Sequence, residues 1–161
     1  MDDKTALISI LQTIPWFQEL EPAIFDKIAG ICEAISYEAG HFLFREGDKE
    51  DYLYIVVEGR VALEIHLPGR GKMRIYTAEA MDIVGWSSIT PIVRQRTASA
   101  RVVLPSRLIR MQASQLYKLC DEDHDLGYVV MRRLSNVIAS RLLTTRLQLL
   151  DMFAHPEGKE G

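Results

Sequence analysis

The stretch from residue 33 to residue 112 limits the fold most. It holds six short β-rich runs: His41–Phe44, Tyr52–Val57, Arg60–His66, Lys72–Thr77, Ala98–Leu104 and Arg107–Met111. Turn formers separate them, at Gly40, Gly47-Asp48, Glu58-Gly59, Pro68-Gly69 and Pro105-Ser106. Many short strands at this spacing predict a sandwich, jelly roll or barrel. Leu67-Pro68-Gly69-Arg70-Gly71 reads as the tip of a hairpin.

Helical patterns flank this region. Leu7, Ile10, Leu11 and Ile14 recur at helical spacing until Pro15 ends the run. Glu21-Pro22 starts a second helix, with Pro22 early, where its missing N–H costs little. Ile24, Phe25, Ile28 and Ile31 supply its apolar face. After the strands, Ala113–Leu119 is one helix. Asp123–Phe153 is another, with no proline and a single glycine, Gly127, near its start. A helix of about thirty residues spans ~45 Å, more than a small roll can cover.

The whole reads as one domain over residues 1–154: N-terminal helices to 32, a roll over 33–112, and C-terminal helices over 113–154. Residues 155–161 are expected to form a disordered tail. The chain has 161 residues, 48% hydrophobic and 25% charged, enough to bury a core without staples. A net charge of −3 disfavours non-specific binding to nucleic-acid backbones. Cys32 and Cys120 fit no zinc or redox spacing and read as small hydrophobes in a reducing compartment. The acidic start at Met1-Asp2-Asp3 lacks an apolar run behind it, so no signal peptide is expected. The apolar stretches are too short for a membrane span. The expected location is the cytoplasm.

Phe42-Leu43-Phe44-Arg45-Glu46-Gly47-Asp48, followed by Leu53-Tyr54-Ile55-Val56-Val57-Glu58-Gly59, resembles the opening of the cyclic-nucleotide-binding family, which includes the bacterial catabolite activator protein and the regulatory subunits of protein kinase A. Downstream, Asp82-Ile83-Val84-Gly85-Trp86-Ser87-Ser88-Ile89 and Arg94-Gln95-Arg96-Thr97-Ala98-Ser99-Ala100 resemble that family's phosphate-binding cassette. Arg96 lies eleven positions after Gly85, and Thr97 follows at once. A helix N-terminus offers unpaired N–H groups to an anion, and an arginine adds charge-assisted hydrogen bonds. The resemblance implies a ligand site of Gly85, Trp86, Ser87, Ser88, Arg96 and Thr97, with Arg94 and Arg101 as surface or ion-paired residues. It also implies a fold: mainly β with flanking helices, a double-stranded β-helix (jelly-roll-like β-roll) closed by a long C-terminal dimerisation helix.

Two positions depart from the family's pattern. Met81 stands where the family has a glycine, which is expected to alter a turn. Trp86 stands where nucleotide-binding members carry a glutamate that accepts from the ribose 2′-OH. Indole has a donor and no acceptor. Losing a hydrogen bond to a charged group costs about 1.5–3 kcal/mol, roughly 10- to 100-fold in affinity.

Ala139-Ser140-Arg141-Leu142-Leu143-Thr144-Thr145 resembles the stretch of the dimer helix whose hydroxyls face a bound purine, which adds Thr145 to the ligand set. Met131, Leu134, Ile138, Thr145, Leu149 and Met152, with Arg141 or Leu142 between, form a heptad-like seam for a homodimer. In transcription-factor members a winged helix-turn-helix follows this helix. Only eight residues follow Phe153 here, so no direct DNA binding is expected, and any effector is an unidentified protein.

The leading reading is a ligand-sensing regulatory domain, not an enzyme, that binds cAMP, cGMP or a similar small anionic ligand and signals through a helix-mediated dimer. It needs no other cofactor. The alternative is a dimerisation module whose degenerate pocket binds no nucleotide. A metal-dependent β-barrel enzyme would need clustered histidines, whereas His41, His66, His124 and His155 are scattered.

Overall fold

The computed structural model describes residues 3–49, 52–86 and 95–155. Three short helices open the chain: α1 (Asp3–Gln12), α2 (Pro15–Gln18) and α3 (Pro22–Ala29). Six strands follow: β1 (Cys32–Tyr37), β2 (Phe42–Phe44), β3 (Tyr52–Leu67), β4 (Gly71–Ala78), β5 (Ile83–Val84) and β6 (Ser99–Gln112). Two helices close it, α4 (Ala113–Glu122) and α5 (His124–Ala154). Pro15 does more than end α1, since it opens α2 from an N-terminal position. The Asp123 carboxylate caps α5 by accepting from the Leu126 N–H at 3.2 Å.

All strand pairs are antiparallel, in the order β1-β6-β3-β4, with β2 also on β6 and β5 also on β3. The long strands β3 and β6 form the spine, and alternation along them separates two cores. Leu53 and Ile55 point to a cluster shared with Leu11, Phe17, Leu116, Leu126 and Val130 of the helices. Tyr54 and Val56 point to the roll interior with Val61, Leu63, Val84, Val102 and Leu108. The fold is therefore the antiparallel β-roll with flanking helices that the family resemblance implies, one of the all-β forms that the strand texture allows.

The strand boundaries differ from those expected. Tyr52–Val57 and Arg60–His66 are one strand, as are Ala98–Leu104 and Arg107–Met111 less their first residue, Ala98. Glu58-Gly59 and Pro105-Ser106 are not breaks but the two halves of one corner. The register shifts at Val56, Glu58 and Arg60, and Gly59 sits at φ 104°. A Cβ on Gly59 would lie 2.1 Å from Ser106 Oγ, so the strands cross there without room for a side chain. Ser106 Oγ accepts from the Arg60 N–H at 3.1 Å and lies 2.7 Å from the Leu104 carbonyl. The bend thus keeps its polar groups satisfied. Two strands, β1 and the two-residue β5, were not singled out by the sequence pattern.

Candidate functional site

β5 ends at Val84, and the chain turns at Gly85 with φ 86°. A Cβ there would stand 2.6 Å from Arg96 Nη1 and 2.9 Å from the Tyr52 carbonyl oxygen, so only glycine fits. The structure brings Gly85 and Arg96 together, as the resemblance to the cassette implies. Arg96 Nη1 donates to the Gly85 carbonyl at 3.1 Å, and Nη2 to the Tyr52 carbonyl at 2.6 Å. Its guanidinium lies 4.0 Å from the Phe44 ring centroid. Only 3% of Arg96 is exposed.

The backbone around Arg96 is stapled to the first glycine turn. Its N–H donates to Asp48 and its carbonyl accepts from Gly47, at 2.8 and 2.9 Å. Ser99 Oγ accepts from the Glu46 N–H at 2.8 Å. The two segments that carry the family resemblance are thus hydrogen-bonded neighbours. Gly85, half-buried Trp86 and exposed Thr97 line one small cavity with Phe44, Leu63 and Ala98. Its volume is about 30 Å³, room for one or two waters and far below the ~300 Å³ of a small-molecule site. On the other side of Phe44, a cavity of about 400 Å³ is lined by Arg96, Arg110, Tyr37, Tyr52 and Tyr54. Burial pushes the Tyr54 phenol up to about 12, so it stays protonated at neutral pH. Phe44 and Tyr52 were not assigned a site role from sequence, although Phe44 stands in the opening motif. Ser87, Ser88 and Arg94 lie outside the described residues.

Arg101 is ion-paired with Glu64 at 2.9 Å, which holds the Glu64 carboxyl below its usual range. At the turn where the family has glycine, a side chain takes the left-handed conformation. Met81 itself takes φ 74°, its N–H donates to the Val56 carbonyl at 2.8 Å, and the Val56 N–H donates to Asp82 at 3.0 Å. The turn's hydrogen bonds hold a side chain in the left-handed region, at a cost of about 1–2 kcal/mol.

The seam expected on α5 divides between two sides of the helix. Leu134 is 4% exposed and belongs to the chain's own core, so it is not available to a second copy. Ile138 also packs partly against that core. Arg141 turns toward its own roll: its guanidinium sits 3.7 Å from the Tyr76 ring centroid and donates to the Ile83 carbonyl at 2.7 Å. The physical reason is that a heptad pattern marks apolar positions without saying which neighbour covers them. Met131, Leu142, Leu149 and Met152 are exposed. Thr145 is exposed too, and its hydroxyl donates to the Arg141 carbonyl one turn back at 2.8 Å. It does not line the small cavity beside Gly85. Arg132 and Arg133 both pair with Glu19.

Among the described residues, no group of three His, Cys, Asp or Glu is placed to hold a metal. No described helix is long and apolar enough to cross a membrane.

Known proteins agree with this architecture. A cyclic nucleotide-binding domain from Methylobacillus flagellatus KT superposes with TM-score 0.77, at 23% identity, over 92% of this chain and 83% of that one. The Thermus thermophilus catabolite activator protein superposes with TM-score 0.69, at 24% identity, over 87% of this chain and 63% of that one. At such identities the likeness is one of fold. The CRP-like cAMP-activated global transcriptional regulator of Mycobacterium tuberculosis is 26% identical over 136 residues, 84% of this chain. This chain spans 58% of that relative's length. Residues 34–123 match the family profile of the cyclic nucleotide-binding domain, more than half of the chain. The chain therefore belongs to the cyclic nucleotide-binding domain family.

Proposed function

We propose that this is a regulatory domain that takes a cyclic nucleotide, or a similarly small anionic ligand, beside Gly85, Arg96 and Thr97, and relays occupancy through α5 to a second copy. The contact of Arg96 with Gly85 at the turn after β5 carries this reading. A relative that shares the fold and 26% of its residues is activated by cAMP. The ligand's anion would replace backbone carbonyls as the acceptor for Arg96, an exchange that puts a full negative charge beside the guanidinium and allows a bidentate pair. With the cavity at about 30 Å³, binding also requires the Trp86 indole to swing aside.

Isothermal titration with cAMP and cGMP tests this on three proteins. Wild type is expected to bind weakly. Arg96→Ala should weaken binding a further 10- to 100-fold, about 1.5–3 kcal/mol, with a thermal melt to confirm that the variant is folded. Trp86→Glu supplies the missing ribose acceptor, opens space, and should tighten binding by about the same factor. Tight binding indifferent to Arg96→Ala would remove the cassette assignment. A second reading, a dimerisation module with a closed pocket, is favoured by the size of the cavity and the indole beside it. It predicts no binding by any of the three.

A further inference from the structure

A third cavity, of about 340 Å³, lies between α5 and the turn that leads into β5. That volume is at the lower end of small-molecule sites, which run from ~300 to 1,000 Å³. It shares Asp82 and Ile83 with the start of the cassette stretch, but none of its lining residues borders the small cavity beside Gly85 and Trp86. One wall is a single face of α5, carrying Arg133, Asn136, Val137, Ser140 and Arg141 at helical spacing. Met81, Asp82 and Ile83 form the facing wall.

Arg141 gives this cavity its chemistry. Its guanidinium is half-buried against the Tyr76 ring, and its hydrogen bonds go to neutral acceptors, the Ile83 carbonyl and the Tyr76 hydroxyl. No carboxylate among the described residues forms an ion pair with it. Asp82 acts on Arg141 only at longer range, and its own carboxylate already accepts from the Tyr76 hydroxyl at 3.1 Å and the Glu79 N–H at 2.9 Å. Burial holds the Arg141 guanidinium below its usual range. A desolvated cation without a paired anion is unfavourable, and an anion beside it relieves that cost. Two turns earlier, Arg133 pairs with Glu19 while its Nε is buried with no acceptor among the described residues.

We propose that this cavity is a second ligand site, for a compact anion with a flat or apolar body. The carboxylate or phosphate oxygens bind Arg141, with Ser140 and Asn136 as further donors. The body lies against Met81, Ile83 and Val137. Such an occupant competes with the Ile83 carbonyl for Arg141, and Ile83 stands two residues before Gly85. The site does not depend on the cassette reading.

Phenyl phosphate is a suitable probe, with neutral benzyl alcohol as its uncharged counterpart, followed by amide NMR on the full chain. Saturable shifts are expected at residues 81–83 and 133–141, at least tenfold weaker for benzyl alcohol. Arg141→Gln should weaken phenyl phosphate about tenfold, which is ~1.4 kcal/mol. Ser140→Phe fills the cavity, keeps both arginines and should abolish binding, so the test survives if Arg141→Gln loosens the helix. Arg96→Ala should change nothing, which separates this site from the cassette. The proposal is overturned if no saturable shift occurs below ~10 mM, a free energy of about −2.7 kcal/mol. It is also overturned if the shifts move to residues 85–98 and vanish in Arg96→Ala, or if they persist in both Arg141→Gln and Ser140→Phe.

Discussion

Gly85 carries two constraints at once, a left-handed backbone and a guanidinium where a side chain would be. They can be separated by comparison with Gly69, whose φ of 80° is similar but whose Cβ position is open, with nothing within 4 Å. Gly69→Ala should cost only the left-handed penalty, about 1–2 kcal/mol. Gly85→Ala should cost at least ~1 kcal/mol more, because the added methyl must displace Arg96 or the Tyr52 carbonyl. Urea unfolding of both variants measures the difference. Equal costs would mean that Arg96 does not pack on Gly85 in solution. The juxtaposition of Gly85 and Arg96 was legible through the resemblance to the cassette, whose spacing this chain keeps. What the spacing could not give is the side chain's present occupation, because Tyr52 and Phe44, which hold Arg96, lie over forty residues upstream. Met81 was legible as a departure, but its left-handed conformation, with the turn's hydrogen bonds through Val56, was not.

At the scale of elements, periodicity identified α1, α3, α4 and α5 but not the four-residue α2, and it assigned the faces of α5 only in part. Leu134 and Leu142 share the apolar pattern and differ in surroundings, at 4% and 58% exposure. Leu134→Asp places a carboxylate in the core that α5 shares with α1, α3 and α4. It should destabilise the fold by about 3–5 kcal/mol, combining lost packing with a buried unpaired charge. Leu142→Asp should leave the stability of the dissociated chain within about 0.5 kcal/mol of wild type while weakening self-association. Melts followed by circular dichroism, paired with sedimentation at several concentrations, distinguish the two. If Leu142→Asp melts as early as Leu134→Asp, the division of α5 into a core side and an open side is wrong. The merged strands show the same limit from the β side. Gly59 and Pro105 are turn formers by composition, yet Ser106 satisfies the backbone across the corner and both strands run on.

For the whole molecule, the question is what covers the end of α5. The Gln148 side chain, donating to the Ile75 carbonyl at 3.1 Å, ties the helix to the roll near its C-terminal end. Around and beyond it Leu142, Leu143, Leu147, Leu149, Leu150 and Phe153 are each more than half exposed, and Met152 nearly so. An apolar surface this continuous is rare on a monomer and marks an interface. A second copy is the natural cover, because a two-fold pairing of α5 sets Leu142, Leu149 and Met152 of one chain against the same positions of the other. Light scattering at tens of micromolar should return twice the 18.3 kDa chain mass. The melting temperature should rise with protein concentration, since dissociation is linked to unfolding. Leu149→Asp combined with Met152→Asp should lower the mass to that of one chain and remove the concentration dependence. A wild-type protein that stays monomeric and monodisperse at those concentrations would exclude the dimer, and with it α5 as the route by which one site reports to another.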